Sequence, residues 1–343
     1  MTLLRAVNRH ITPHLDSCGG CFRLPKIIWL ALLGCCCLVL ASGVAAAQTS
    51  TGKIPVVASI VPLGDFCRQL GGDRVQVQVL VPPGASPHIF EPPPSVVARA
   101  AQARLFVYTG AGLEPWAAKL LKSRRGNNLE VVEAVQGISL INEAGDHHHD
   151  EGGAGEHHHH PGEEPEAHEG HHHEAGNPHV WLDPVLAQGI CRHITAALIR
   201  LDPGQRHYYE ERLQDYLQKL AALNREIQKQ VSSFRIREFV CFHPSFSYFA
   251  RRYGLKEAGV IELSPGREPT PRHLQKIVDA VKKYGIKVVF AEPQLNPRVA
   301  VVIAREAGAK VLLLDPVGGR PPYGENYLKL MRYNLGVMAE AMK

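Results

Sequence analysis

Beyond its first 47 residues this chain is short of cysteine, of long apolar runs and of net charge. Of the eight cysteines, Cys18, Cys21, Cys35, Cys36 and Cys37 fall in that first segment, leaving Cys67, Cys191 and Cys241. Three cysteines exclude a disulfide framework, and Cys18-x-x-Cys21 lies where processing is expected to discard it, so it carries little weight as a zinc or redox motif. The whole chain has a formal charge of +5; losing residues 1–47 removes four basic groups and one acidic group and lowers it to +2. No basic patch points to nucleic acid. The one His-Glu-x-x-His string, residues 168–172, lies in a segment without helical periodicity, so no His-Glu-x-x-His helix signals a zinc hydrolase. Gly71-Gly72-Asp73 and Gly318-Gly319 are turn signals without the spacing of a phosphate cradle.

The first segment has its own pattern. Arg5, Arg9, Arg23 and Lys26 precede an apolar run from Ile27 to Leu40, and Ala45-Ala46-Ala47 follow before Gln48. This is the form of a secretory signal peptide over residues 1–47. Leu32-Leu33-Gly34-Cys35 also has the form of a lipobox, which would retain a lipidated Cys35. An uncleaved anchor is the other alternative, since a bilayer span needs about 20 apolar residues and the flanking Ala and Val residues extend the run.

The chain has 343 residues, 45% of them hydrophobic and 21% charged, a globular composition sufficient for one large or two medium domains. Short apolar runs at Pro55–Ala58, Val75–Val81, Leu105–Tyr108 and Leu129–Val132 read as strands. Helical patterns at Leu63–Leu70, Ser95–Ala101 and Pro115–Leu121 separate them. That alternation predicts an α/β lobe with an open parallel sheet over residues 48–202. Within it, residues 146–174 break every periodicity and hold His147, His148, His149, His157, His158, His159, His160, His168, His171, His172 and His173 among Gly, Glu and Asp. Such a segment has little to bury and reads as a disordered loop that holds further metal ions weakly.

Asp202-Pro203 opens a long helix over residues 203–231, with Asp202 as its cap and Pro203 in its first turn. Tyr209, Leu213, Tyr216, Leu220, Leu223 and Ile227 make one apolar stripe along it, read as core packing. Residues 232–343 repeat the first style, with strands at Glu238–Phe242, Val260–Glu262, Ile286–Ala291 and Lys310–Leu314. Helices are expected at Ser245–Tyr253, Thr270–Tyr284, Asn296–Ala307 and Tyr327–Met342. The fold class is therefore two parallel-sheet α/β lobes joined by one long helix, with the site in the cleft between them.

Three histidines stand in proline-marked turns: His88 in Ser86-Pro87-His88, His179 in Asn177-Pro178-His179, and His243 in Phe242-His243-Pro244. Neutral imidazole is the commonest protein ligand of zinc, and the three are expected at loop ends where the lobes face. Asp315 is the first choice as fourth ligand, Glu292 the alternative and water the third. Three imidazoles and one carboxylate favour zinc over manganese or magnesium. Glu91 and Asp183 are candidates to accept the outer N–H of a ligating ring. Cys241, two residues before His243, is read as buried packing.

The runs Gly84–Pro92, Pro178–Pro184, His243–Leu255 and Glu292-Pro293-Gln294 to Asp315-Pro316 together resemble the metal-binding receptors of ABC importers, the ZnuA/TroA-like cluster. The resemblance covers nearly all of residues 53–343. It implies a periplasmic zinc receptor, not an enzyme, that serves a membrane permease driven by a cytoplasmic ATPase and works as a monomer. It places the family's histidine positions on His88, His179 and His243 and its aspartate on Asp315. Manganese-selective relatives tend to carry Glu where this chain has His243. A receptor for manganese or another divalent metal, a metal-buffering adhesin and a zinc hydrolase are the rival readings. Imidazole ligation also predicts that affinity falls below about pH 6.5, and one rigid connecting helix predicts small lobe movements.

Overall fold

The computed structural model describes residues 52–100, 102–123, 128–142, 176–262 and 269–343, all within one compact unit, Ser50–Lys343. The leader and the histidine-rich insert lie outside the described residues.

Four short strands, β1 (Ile54–Ala58), β2 (Val75–Val79), β3 (Leu105–Tyr108) and β4 (Glu130–Glu133), pair in parallel in the order β2-β1-β3-β4. Parallel neighbours need crossovers, and the helices α1 (Val61–Gly71), α2 (Pro94–Ala100) and α3 (Ala117–Ser123) lie in them. Helix α4 (Pro184–Leu201) packs on the same sheet. The second sheet repeats the plan: β5 (Glu238–Cys241), β6 (Lys256–Val260), β7 (Val288–Ala291) and β8 (Lys310–Leu313) run parallel in the order β6-β5-β7-β8. Helices α6 (Ser247–Tyr253), α7 (Pro271–Lys283) and α8 (Arg298–Ala307) connect them. The expected pair of parallel-sheet α/β lobes is what the chain forms. Ligands in such sheets bind outside the carboxyl ends of the strands, at the point where strand order reverses. In the second sheet that point lies between β5 and β7, and His243 and Glu292 follow their ends.

Two expectations about elements need correcting. The sixth strand is Lys256–Val260, not Val260–Glu262, because it is a sheet edge where Lys256 meets solvent, Glu257 accepts from Ser247 Oγ, and the apolar signal falls only on its exit. Ile261 and Glu262 then donate their N–H groups to Cys241 O and Phe242 O. Asp202 does not cap the long helix. Its Oδ2 instead accepts from Arg74 Nε at 2.8 Å and the Tyr209 hydroxyl at 3.1 Å, and a 3-10 turn at Pro203–Gln205 precedes the helix.

The long helix α5 (Arg206–Val231) buries Tyr209, Tyr216, Leu220, Leu223, Ile227 and Val231 along one face, while Leu213 is half-buried. Its 26 residues rise about 39 Å. It packs against α4, α1 and the C-terminal helix α9 (Tyr327–Met342). Tyr327 N donates to Asp65 Oδ2 on α1, and the Tyr327 hydroxyl donates to Trp181 O. At its far end, Arg235 N and Ile236 N donate to Met342 O. One apolar core thus runs from the first sheet through α4, α5 and α9 into β5 and α6, and a second fills the space between the second sheet and α7–α8. Among the described residues no helix is long and apolar enough to cross a membrane.

Candidate metal centre

The three histidines arrive from separate segments. After β2, Gly84 (φ 86°) turns the chain, and Phe90 N and Ile89 N return to Ser86 O at 3.0 and 3.4 Å, which puts His88 at the tip of a tight turn. Its neighbour Ile89 is 66% exposed, so the tip is lightly packed. His179 precedes a buried 3-10 turn at Val180–Leu182, anchored where Trp181 Nε1 donates to Pro316 O at 2.8 Å. His243 leaves β5 in extended conformation (φ −139°) ahead of a second buried 3-10 turn, Pro244–Phe246.

The rings converge through one atom type. His88 Nε2 lies 3.3 Å from His179 Nε2, His179 Nε2 lies 3.1 Å from His243 Nε2, and one ligating nitrogen of each lies within 4.8 Å of the others. The cavity beside them has a volume of about 10 Å³, room for a single water or ion. Tetrahedral zinc with Zn–N bonds of about 2.0–2.1 Å separates its nitrogen ligands by about 3.3 Å. The His88–His179 and His179–His243 separations match that edge.

Hydrogen bonds on the outer nitrogens fix what these inner nitrogens are. Asn177 Oδ1, an acceptor only, lies 2.9 Å from both the backbone N and the Nδ1 of His179, so Nδ1 carries the proton. His243 Nδ1 lies 2.7 Å from Glu292 Oε1, which also accepts from Ser245 Oγ at 2.8 Å. The Nε2 atoms of His179 and His243 face each other at 3.1 Å beside the cavity. Burial first, and the neighbouring His243 second, push the His88 imidazole down to about 3. The same causes in the same order, with His88 added, hold His179 well below its usual range. Both rings stay neutral at physiological pH, the form that ligates metals.

The acidic residues proposed from the sequence take other places. Asp315 does not join the three imidazoles: its neighbours Pro316 and Val317 line the cavity, but its own carboxylate is fully buried and engaged. Oδ1 accepts from Val317 N, Gly318 N and Gln294 Nε2 at 3.0, 2.9 and 2.7 Å, and Oδ2 from the Tyr323 hydroxyl. Glu292 sits behind His243 as its orienting partner, the carboxylate–histidine arrangement common at zinc sites. Asp183 caps α4 through Val185 N and Leu186 N and pairs with Arg252 Nε at 2.7 Å. Glu91 is exposed and lines a different cleft with Trp116 and Lys119. Cys67, Cys191 and Cys241 are buried free thiols. Sequence reading missed Asn177 and Ser245. The signal for Asn177 was present, since Asn two residues before a histidine in a turn commonly accepts that residue's backbone N–H.

Comparison with known proteins agrees with this geometry. The family model for ZnuA, zinc-uptake complex component A, periplasmic, matches residues 56–341. The high-affinity zinc uptake system protein ZnuA of Bacillus subtilis is 33% identical over 300 residues, 86% of this chain and 90% of that protein. The zinc-binding lipoprotein AdcA of Streptococcus pneumoniae is 31% identical over 323 residues, 92% of this chain but 61% of its own length, so this chain spans about three-fifths of that relative. A crystal structure of ZnuA superposes with a TM-score of 0.70 at 31% identity, covering 84% of this chain and 99% of that one. A chain matched over this length, and with these identities, belongs to the ZnuA family of zinc-uptake solute-binding proteins.

Proposed function

We propose that this protein captures one Zn²⁺ outside the cytoplasmic membrane on His88, His179 and His243 and presents it to an ABC permease driven by a cytoplasmic ATPase. The observation that carries the reading is the convergence of one ring nitrogen each from His88, His179 and His243 within 4.8 Å of one another, at a cavity sized for one ion. Three nitrogen donors favour zinc over manganese and magnesium, which prefer more oxygen ligands. With Asp315 committed elsewhere, the fourth position is open to a water, or to Glu292 through a rotation that gives up its bond to His243.

An open position on a three-histidine zinc is also a hydrolase's arrangement. The match to zinc-uptake receptors over nearly the whole described chain supports carriage instead. Residues 1–47 direct export, with lipidation at Cys35 or an uncleaved anchor as the alternative means of retention. The histidines of residues 146–174 raise the local zinc concentration by weak, fast-exchanging contacts. The test is competition for zinc against a chromophoric chelator with the exported protein. One tightly held ion, lost in His179→Ala, is the expected result; tight binding that survives that substitution overturns the reading.

A further inference from the structure

We propose that Asn177 is a positioning residue that sets the tautomer of His179 and fastens it to the turn carrying His243, a role that needs both ends of a primary amide. The inference rests on the zinc reading of the site.

Two backbone groups decide the orientation of this amide. Pro244 O accepts only, and Asn177 Nδ2 donates to it at 2.6 Å; His179 N–H donates only, and Oδ1 accepts from it at 2.9 Å. The amide therefore cannot be turned over without setting like against like at both ends. With Oδ1 so placed, its 2.9 Å contact to His179 Nδ1 forces the proton onto Nδ1 and leaves the Nε2 lone pair in the cavity. The tautomer of a metal ligand thus follows from a backbone carbonyl 67 positions along the chain.

The same residue joins the segments a second way. Tyr248 on α6 donates its hydroxyl to Asn177 O at 2.7 Å and accepts from Ile141 N at 3.0 Å, while Asn177 Nδ2 lies 3.3 Å from Ser247 Oγ. Asn177 itself is fully buried. His179, which precedes α4 of the first lobe, is consequently held by residues 244–248 of the second. His179 and His243 are thereby tied into one set of hydrogen bonds. An aspartate keeps the acceptor for Nδ1 but sets a carboxylate oxygen against Pro244 O, and alanine loses both functions.

The test uses the exported protein with Asn177→Asp and Asn177→Ala, zinc affinity by chelator competition, and the visible absorption of bound Co²⁺ as a report on ligand geometry. Expected is a graded loss, with Ala weaker than wild type by about 10–100-fold, as for other partners of metal-bound histidines, and Asp between the two. The Co²⁺ bands should shift in Ala while the metal-free protein keeps its cooperative unfolding transition. Ala within twofold of wild type, Asp no better than Ala, or an unchanged Co²⁺ spectrum overturns the proposal. A wild-type protein that fails to bind zinc overturns the functional reading instead. Should Ala fail to fold, the Asp variant and its Co²⁺ spectrum still decide.

Discussion

His88 and the pair His179–His243 offer the same atom to the same cavity by unlike means. Each member of the pair is buried in a 3-10 turn or at its start, and each has its outer nitrogen held, by Asn177 in one case and Glu292 in the other. His88 stands at a loop tip beside exposed Ile89, and between the small cavity and the larger cleft of about 680 Å³ bounded by Trp116 and Leu120. On the proposed zinc reading, the difference divides the work of capture: the pair is the anchored seat, and His88 is the ligand with fewer holding contacts. Anchored first contacts lower the ordering cost of binding, whereas a less firmly held third ligand gives the ion a way in and out.

The sharpest way to break this comparison is to remove one ligand at a time. His179→Ala or His243→Ala should weaken zinc binding by more than about 100-fold, beyond the range seen for outer partners. His88→Ala should cost clearly less, by about tenfold relative to either, and equal losses in chelator competition would erase the distinction. Next in size is Glu292→Gln, which keeps the shape but removes the negative oxygen behind His243. We expect a loss of about 10–100-fold, with the metal-free stability by urea unfolding less affected than the affinity.

Acid gives a smaller effect than the sequence alone suggests. Three imidazoles with ordinary titration would lose roughly a thousandfold in affinity between pH 7.5 and 5.5. His88 is pushed down to about 3 and His179 is held well below its usual range, so the fall over that interval should stay within about tenfold. The stability of the metal-free protein carries the matching sign. Below about pH 6.5 the unfolded chain takes up protons at His88 and His179 that the folded chain refuses, so stability declines as pH drops from there toward the folded values. Urea unfolding at pH 7.5 and 5.5 checks it; greater metal-free stability at the lower pH would contradict the buried, neutral state of these rings. The smallest effect belongs to deletion of residues 146–174, which should leave one tight ion with affinity within about threefold, while the weak additional ions disappear from native mass spectra.

Much of this was legible in the chain before any fold was drawn. Alternating apolar runs announced both sheets, the spacing of Tyr209, Tyr216, Leu220 and Ile227 announced the buried face of α5, and three proline-marked histidines announced the cavity. The misplacements share a cause: local patterns do not say which distant group a polar side chain will meet. Asp315 after a strand reads alike as a ligand or as a turn anchor, and the choice was made by Gln294 and Tyr323. Asp202 has the sequence of a cap, but Arg74 and Tyr209 claim its carboxylate. Asp183 caps α4 and meets Arg252, whereas the partner of His179 is the uncharged Asn177. At β6 the polar residues of an edge hid a strand that an interior position would have made apolar.

The most direct test is a crystal structure of the zinc-loaded protein with anomalous scattering recorded at the zinc edge. One cleft peak about 2.0–2.1 Å from the Nε2 atoms of His88, His179 and His243, with Asn177 and Glu292 still on the outer nitrogens, is the predicted result. A tightly bound ion that leaves out His179 or His243, or binds either through Nδ1, would contradict it.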